Sequence, residues 1–202
     1  MNRIRLRVRG FTLIEMMVTL AIMAVLALIA VPAFRNTIRR GQVTRASNTL
    51  LADISYARTE AVNRGLDVSL CPSTDGQSCN TTDTTFDTGW IVYTYTPGNA
   101  VANTVYSSTS TSNLLLRYTQ QLAGVSIQAT PNTDNNNVIT FNAQGQQLPK
   151  AATKLNFVTC YRDSGTGIGS STGTAPGVQL TLSTSGSVSS LPVASGGACT
   201  AS

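Results

Sequence analysis

The chain has 202 residues, of which 42% are hydrophobic, and its formal net charge is +5. It contains no histidine, which excludes catalytic triads, general bases and metal sites that depend on an imidazole. This length accommodates one domain of ordinary size together with an appendage.

The positive charge is concentrated at the start of the chain. Four of the 14 basic residues stand there without any acidic residue: Arg3, Arg5, Arg7 and Arg9. Beyond Gly65, six acidic residues outnumber four basic ones. Because the bulk of the chain carries no excess of positive charge, the net charge does not favour a nucleic-acid-binding protein.

Residues 11–34 form a long apolar segment that contains one charged residue, Glu15. As a helix, most of this segment would span roughly 30 Å, the thickness of a bilayer core. The arginine-rich start predicts a cytoplasmic N-terminus by the positive-inside rule, although Arg35, Arg39 and Arg40 on the far side weaken this bias. The sequence therefore predicts a single membrane span with the bulk of the chain outside the cytoplasm.

A conventional secretory signal is the alternative interpretation of this segment. Such a signal usually has an apolar core of about 7–15 residues, followed by a cleavage site with small residues. The apolar run here is longer, and a signal peptide has no use for Glu15. Because a charge inside a spanning segment costs a few kcal/mol, Glu15 is predicted to be a functional residue.

The sequence Arg-Gly-Phe-Thr-Leu-Ile-Glu, residues 9–15, resembles the class III signal of type IV pilins and type II secretion pseudopilins. The resemblance implies that a prepilin peptidase cleaves between Gly10 and Phe11, that residues 1–10 are a removed leader, and that Phe11 is N-methylated. It also implies a filament that is built on an inner-membrane assembly platform. Glu15 of an incoming subunit is expected to pair with the amino group of Phe11 in a neighbour, which offsets the desolvation of both charges.

The helix is predicted to continue beyond the membrane as an amphipathic half over residues 35–65. Apolar and small residues recur on one face: Val43, Ala46, Leu50, Ile54, Ala57 and Ala61. Four charged residues are predicted to lie largely outside that stripe: Arg45, Asp53, Arg58 and Glu60. Gly65 is expected to end the helix, and Pro32 is expected to kink it.

Residues 55–65 look like the end of the long helix in FimT/FimU-type minor pilins and GspH-type pseudopilins. Further similar segments begin at Val68, Gly89, Ile139, Leu155 and Val178. The resemblance implies an α+β, type IV pilin-like fold. In that fold a long N-terminal helix, half of it transmembrane, packs on a C-terminal antiparallel β-sheet domain, here residues 66–202.

After Gly65 the apolar residues no longer recur at helical spacing, and short runs of strand-forming residues follow instead. The predicted strands are Trp90–Tyr95, Leu114–Tyr118, Val125–Ala129, Val138–Phe141, Leu155–Tyr161 and Val178–Leu182. Residues 184–187, Thr-Ser-Gly-Ser, predict a hairpin turn before a last strand near Val188. One antiparallel sheet packed on the helix is the expected architecture, with Trp90 in the core.

The four cysteines, Cys71, Cys79, Cys160 and Cys199, predict two disulfides in an exported chain. Four cysteines allow three pairings, and we favour Cys71–Cys79 together with Cys160–Cys199. The first closes a short loop of turn-forming residues, and the second holds the C-terminal tail against a strand. Reduced thiols are the alternative, and the spacing does not favour zinc.

No catalytic residue, cofactor or metal site is predicted. Residues 169–173 formally match the Gly-x-Ser-x-Gly nucleophile elbow, but the match lies in a Ser/Gly loop with no histidine downstream. We therefore expect a structural and interaction protein rather than an enzyme.

Three functions fit the resemblance. The first is a minor pilin at or near the tip of a type IV pilus, supporting assembly with other major and minor pilins.

The second is a DNA receptor for natural transformation. DNA-binding FimT-type pilins carry a Gly-Arg-x-Arg pattern in the C-terminal hairpin, where residues 186–189 here read Gly-Ser-Val-Ser. Lys150, Lys154 and Arg162 would be a weaker patch, so DNA is not favoured. The third is a GspH-type pseudopilin of a type II secretion system.

Overall fold

The computed structural model describes residues 10–82, 84–95, 103–130, 137–148, 154–163, 165 and 167–201. The chain divides into two compact units, residues 1–38 and residues 39–202. We describe each unit by itself. The second unit takes in the last part of the helix, because the buried face of that part packs on the sheets.

One α-helix, α1, runs from Leu13 to Arg64. The hydroxyl of Thr12 accepts a hydrogen bond from the amide of Glu15 at 3.3 Å, so the helix begins after this cap rather than at Phe11. The helix ends before Gly65, whose φ of +64° suits a glycine at a helix C-terminus, and this prediction is confirmed. Helical structure continues through Pro32, and the kink there stays a prediction.

The second unit buries one face of α1. Eight of its residues are buried: Val43, Ala46, Ser47, Leu50, Asp53, Ile54, Ala57 and Ala61. The predicted apolar stripe is therefore confirmed in full. The placement of Asp53 outside the stripe is wrong, because Asp53 lies three residues after Leu50 and four before Ala57, on the apolar face itself.

In the part of the chain that the structure describes, nine strands follow the helix. They are β1 (Val68–Pro72), β2 (Gly89–Tyr95), β3 (Asn113–Gln120), β4 (Val125–Ala129), β5 (Ile139–Phe141), β6 (Gln147–Leu148), β7 (Leu155–Tyr161), β8 (Val178–Leu182) and β9 (Val188–Pro192). All strand pairs are antiparallel. The α+β fold class, with a long N-terminal helix and an antiparallel β domain, is confirmed.

The strands form two sheets rather than the single sheet that was expected. One has five strands in the order β3-β2-β1-β5-β6, and the other has four in the order β4-β7-β8-β9. Buried residues of both sheets share one core with the helix, including Trp90 from the first sheet and Phe157 from the second. The placement of Trp90 in the core is confirmed, since its side chain is fully buried.

The turns of the two sheets meet at the helix. Arg58 donates from Nε to the carbonyl of Gly145, between β5 and β6, at 3.0 Å. It also donates from Nη2 to the carbonyl of Ser185, between β8 and β9, at 3.3 Å. Gly186 has a φ of +80°, and a Cβ at this position would overlap the carbonyl of Gly145. One helix side chain thus joins the tips of both sheets.

Candidate functional site

The first candidate site is the start of α1. Every residue from Gly10 to Arg35 is exposed in the isolated chain, and Phe11 is exposed to 78%. Glu15 is the one acidic residue in the first turn of the helix, where the partial positive charge of the helix N-terminus favours a carboxylate. The predicted cleavage site, Gly10 and Phe11, lies directly before the capping residue Thr12.

This first part of the helix is apolar enough to cross a membrane. The most apolar window of α1 has a mean hydropathy of 2.6, and none of that window is buried inside the molecule. Large exposed side chains include Leu13, Leu20, Leu28 and Phe34. So large an apolar surface is stable only against lipid or against other protein chains.

The second candidate site is a buried carboxylate in the sheet-bearing unit. Asp53 Oδ2 accepts hydrogen bonds from Trp90 Nε1 at 2.8 Å and from the hydroxyl of Thr119 at 2.6 Å. Its Oδ1 accepts from Arg117 Nη1 at 2.6 Å. The guanidinium of Arg117 also stacks 3.9 Å above the ring of Tyr56. The carboxylate is therefore fully satisfied and joins α1 to strands β2 and β3.

The sequence analysis did not find this site. The available signal was the spacing of Asp53, which continues the steps of three and four that define the apolar stripe. An acidic residue on such a stripe requires buried donors. An indole N–H, an arginine and a hydroxyl on strands β2 and β3 supply them.

Both disulfides of the favoured pairing are present. Cys71 and Cys79 are joined with their Cα atoms 5.7 Å apart, and Cys160 and Cys199 with theirs 6.1 Å apart. Within the first loop, Asp75 accepts from the amide of Gln77 at 2.8 Å.

Hydrogen bonds from the backbone stabilise the charged form of Asp75. The bond from the Gln77 amide is the main cause of the lowered pKa of this carboxyl, and the amide and hydroxyl of Ser78 and the hydroxyl of Ser73 contribute further. The carboxylate thus orders the short disulfide-closed loop.

A buried tyrosine pair lies beside the first disulfide. The hydroxyl of Tyr93 donates to the carbonyl of Thr104 at 2.6 Å, and the hydroxyl of Tyr95 contacts the same carbonyl at 3.1 Å. Burial raises the pKa of the Tyr93 phenol well above its ordinary value, and the neighbouring Tyr95 adds to this shift. The hydroxyl of Ser69 bonds to Tyr95 at 2.8 Å.

Arg162 does not take part in the predicted basic patch. Arg162 is buried, and its Nη2 lies 2.9 Å from Asp87 Oδ2 while its Nη1 donates to the carbonyl of Gly167 at 3.1 Å. The assignment of Arg162 to a DNA-binding patch is therefore wrong, because its guanidinium is engaged inside the molecule. Lys154 is exposed, and Lys150 lies outside the described residues.

Within the described part of the chain, no group of three or more Cys, Asp or Glu side chains could hold a metal ion. What the described surfaces offer is an exposed apolar helix with one carboxylate and a β domain whose strand β3 is exposed along much of its length. This arrangement suits assembly with lipid and with other chains.

Residues 46–188 match the family described as type II transport protein GspH, and residues 5–31 match the prokaryotic N-terminal methylation motif. The chain belongs to the GspH family. It also carries the N-terminal methylation motif of prokaryotic proteins, on a helix long and apolar enough to cross a membrane.

Several curated proteins are similar to this GspH-family chain. The type IV major alpha-pilin of Moraxella bovis is 50% identical over 44 residues, which cover 22% of this chain and 28% of that protein. A fimbrial protein of Pseudomonas aeruginosa is 34% identical over 91 residues, or 45% of this chain and 54% of that protein. Prepilin peptidase-dependent protein D of Escherichia coli is 32% identical over 133 residues, or 65% of this chain and 78% of that protein.

The chain thus spans between 28% and 54% of the length of the first curated relatives it matches. Among solved structures, the type IV minor pilin FimU of Pseudomonas aeruginosa aligns with 76% of the GspH-family chain and 90% of its own, at 20% identity and a TM-score of 0.49. The minor pseudopilin EpsH of Vibrio cholerae aligns with 75% and 97%, at 10% identity and a TM-score of 0.42.

Proposed function

We propose that this protein is a minor pilin of a type IV pilus, incorporated at or near the tip, where it supports pilus assembly. The observation that carries the proposal is the exposed apolar start of α1, where Glu15 follows Phe11 by four residues inside the methylation motif. A lone carboxylate in such a surface needs a cation, and the amino group of Phe11 in a neighbouring subunit supplies one.

The proposal assigns a route from membrane to filament. Residues 1–10 stay in the cytoplasm until a prepilin peptidase removes them and methylates Phe11. The span then holds the protein in the inner membrane with its β domain in the periplasm, from where the assembly platform passes it into the filament. The arginine-rich leader supports this orientation.

The test combines processing and incorporation. Mass spectrometry of the mature protein should show an N-terminus at methylated Phe11, and Glu15→Ala should remove the protein from sheared filaments. Glu60→Ala is the matched control, because Glu60 pairs with Arg64 on the same helix. An N-terminus elsewhere, or normal incorporation of Glu15→Ala, would contradict the proposal.

A GspH-type pseudopilin of a type II secretion system is the second candidate, and the match of residues 46–188 favours it. The names of the pilin and fimbrial relatives, and the two disulfides, support the pilus instead. Deleting the gene separates the two. Loss of surface pili with normal protein secretion supports a pilin, and loss of secretion with normal pili supports a pseudopilin.

A further inference from the structure

Among the described strands, two of the four sheet edges are covered and a third ends in a proline. The outer side of β4 is covered, since the amide of Phe86 donates to the carbonyl of Ile127 at 2.8 Å. Strand β6 has two residues, and the amide of Gln147 bonds to the carbonyl of Thr184 at 3.2 Å. Strand β9 ends in Pro192, which has no N–H to offer. Short strands, covering segments and prolines are the usual means of preventing unwanted strand pairing.

Strand β3 has none of these protections. It has eight residues, contains no proline, and is exposed along much of its length. Within the described residues, β2 is the strand that pairs with it, and no isolated bridge reaches its other side. Leu114 and Leu115 are exposed to 53% and 38%. A long, exposed and partly apolar edge of this kind is a template for another strand.

The direction of the backbone groups on β3 follows from its neighbours. The carbonyl of Gly89 accepts from the amide of Ser73 at 2.9 Å, so Gly89 faces away from β3. Hydrogen-bonded and non-bonded pairs alternate in antiparallel ladders, and Gly89 is opposite Gln120 while Trp90 is opposite Thr119. The backbone groups of Gln120 and Tyr118 are therefore directed outward, as far as a β-bulge opposite Val92 and Tyr93.

A positively charged groove runs beside this edge, between α1 and β3. It has a volume of about 530 Å³, and its lining includes Arg45, Asn48, Thr49 and Arg117. Arg45 is exposed and forms no ion pair among the described residues. Asp53 also lines the groove, but both of its oxygens are already occupied by donors from the protein. The groove therefore favours an incoming carboxylate.

We propose that the outer edge of β3 docks an extended segment of a neighbouring pilin-class subunit, which adds to the five-stranded sheet as a sixth strand. An acidic side chain of that segment enters the groove between Arg45 and Arg117. The backbone hydrogen bonds of β3 supply the pairing, and the two arginines select the partner. This inference rests on the proposed role as a filament subunit.

Site-specific photo-crosslinking of the full chain in its own cells tests the inference. A photoreactive amino acid at Gln120 should form an adduct with another pilin-class protein, at an extended segment that contains Asp or Glu. The same amino acid at Ser190 on β9, the strand that ends in Pro192, is the position control and should give no such adduct.

Two substitutions test the edge and the groove separately. Leu115→Pro should abolish the Gln120 adduct, because proline blocks strand pairing. Arg45→Glu should reduce it roughly tenfold, because the acidic side chain of the partner then meets a like charge. Lys154→Glu is the matched control, since it reverses an exposed charge that does not line the groove, and it should leave the adduct unchanged.

Several outcomes would overturn the inference. They are an adduct with a second copy of this chain, an equal adduct from Ser190, an adduct that Arg45→Glu leaves intact, and no adduct at all in cells whose sheared filaments contain the protein. Absence of the protein from those filaments would instead contradict the proposed function, so the two failures are distinguishable.

Discussion

The buried carboxylate of Asp53 on α1 accepts a 2.8 Å hydrogen bond from the indole nitrogen of Trp90 on β2. Both side chains are almost completely removed from solvent. Because Arg117 and Thr119 bind the same carboxylate from β3, the helix is held to two adjacent strands by directional contacts as well as by apolar packing. The orientation of the helix on the five-stranded sheet follows from this arrangement.

Replacing Asp53 by alanine should lower the free energy of unfolding of a fragment comprising residues 39–202 by about 3 kcal/mol. The substitution leaves the indole N–H and the Arg117 guanidinium without their acceptor. Urea unfolding followed by Trp90 fluorescence measures the effect. Asp163→Ala is the control, since its ion pair with Arg39 is exposed and should contribute less than about 1 kcal/mol. Equal losses in the two variants would contradict the prediction.

Removing the Cys160–Cys199 disulfide should destabilise the protein more than removing Cys71–Cys79. The sequence separations are 39 and 8 residues, and closing a longer loop restricts the unfolded chain more. The loss of chain entropy on closing the loop corresponds to about 4 kcal/mol for Cys160–Cys199 and about 2.5 kcal/mol for Cys71–Cys79. Double Cys→Ser variants compared by urea unfolding test this order, and the reverse order would rule out the explanation from loop length.

Stability should fall in alkaline solution because of Tyr93. Its pKa is raised in the folded protein by burial, so the unfolded chain loses the phenolic proton at a lower pH than the folded chain. The contribution of Tyr93 to stability is fully present below about pH 10 and is lost as the pH rises from there towards the folded-state pKa. Urea unfolding between about pH 8 and about pH 11 measures this loss.

Tyr93→Phe provides the control for the alkaline effect. The variant lacks the titrating group, so its free energy of unfolding should decline less steeply with rising pH. Phenolate absorbance in the ultraviolet should show one fewer late-titrating tyrosine. An unchanged slope in the variant would exclude Tyr93 as the cause.

The fragment comprising residues 39–202 should not bind duplex DNA at micromolar concentrations, even at low salt. Arg162 is engaged with Asp87, and residues 183–187 in the β8–β9 turn contain no basic side chain. Phosphate contacts supply most non-specific affinity, and neither Arg162 nor this turn is available to make them. A gel mobility shift tests this. Salt-sensitive binding that Lys150→Ala and Lys154→Ala abolish would restore the DNA-receptor hypothesis.

Much of the fold was predictable from local patterns. The stripe on α1, its end at Gly65 and the bounds of β4, β7 and β8 agree with the sequence analysis, because each depends on periodicity or on a single turn residue. Strand β1, with the sequence Val-Ser-Leu-Cys-Pro, was not predicted. All five of its residues are buried, so it lacks the alternation of buried and exposed positions that marks a half-exposed strand. The division into two sheets depends on pairings between distant strands, which no local pattern specifies.

The buried charges were the least predictable part. A sequence shows that Arg162 is basic but not that Asp87, 75 positions earlier, occupies its guanidinium. The spacing of Asp53 indicates its place on the stripe, but its donors were not predictable, since they lie on strands β2 and β3, far along the chain. Composition and spacing identify charged side chains, whereas their availability to a ligand is decided by tertiary contacts.

Arg58 has a mechanical consequence for a filament subunit. At Arg58 the helix is bonded to turns that belong to different sheets. In the proposed filament, a pull on the helix is therefore shared between the tips of the two sheets.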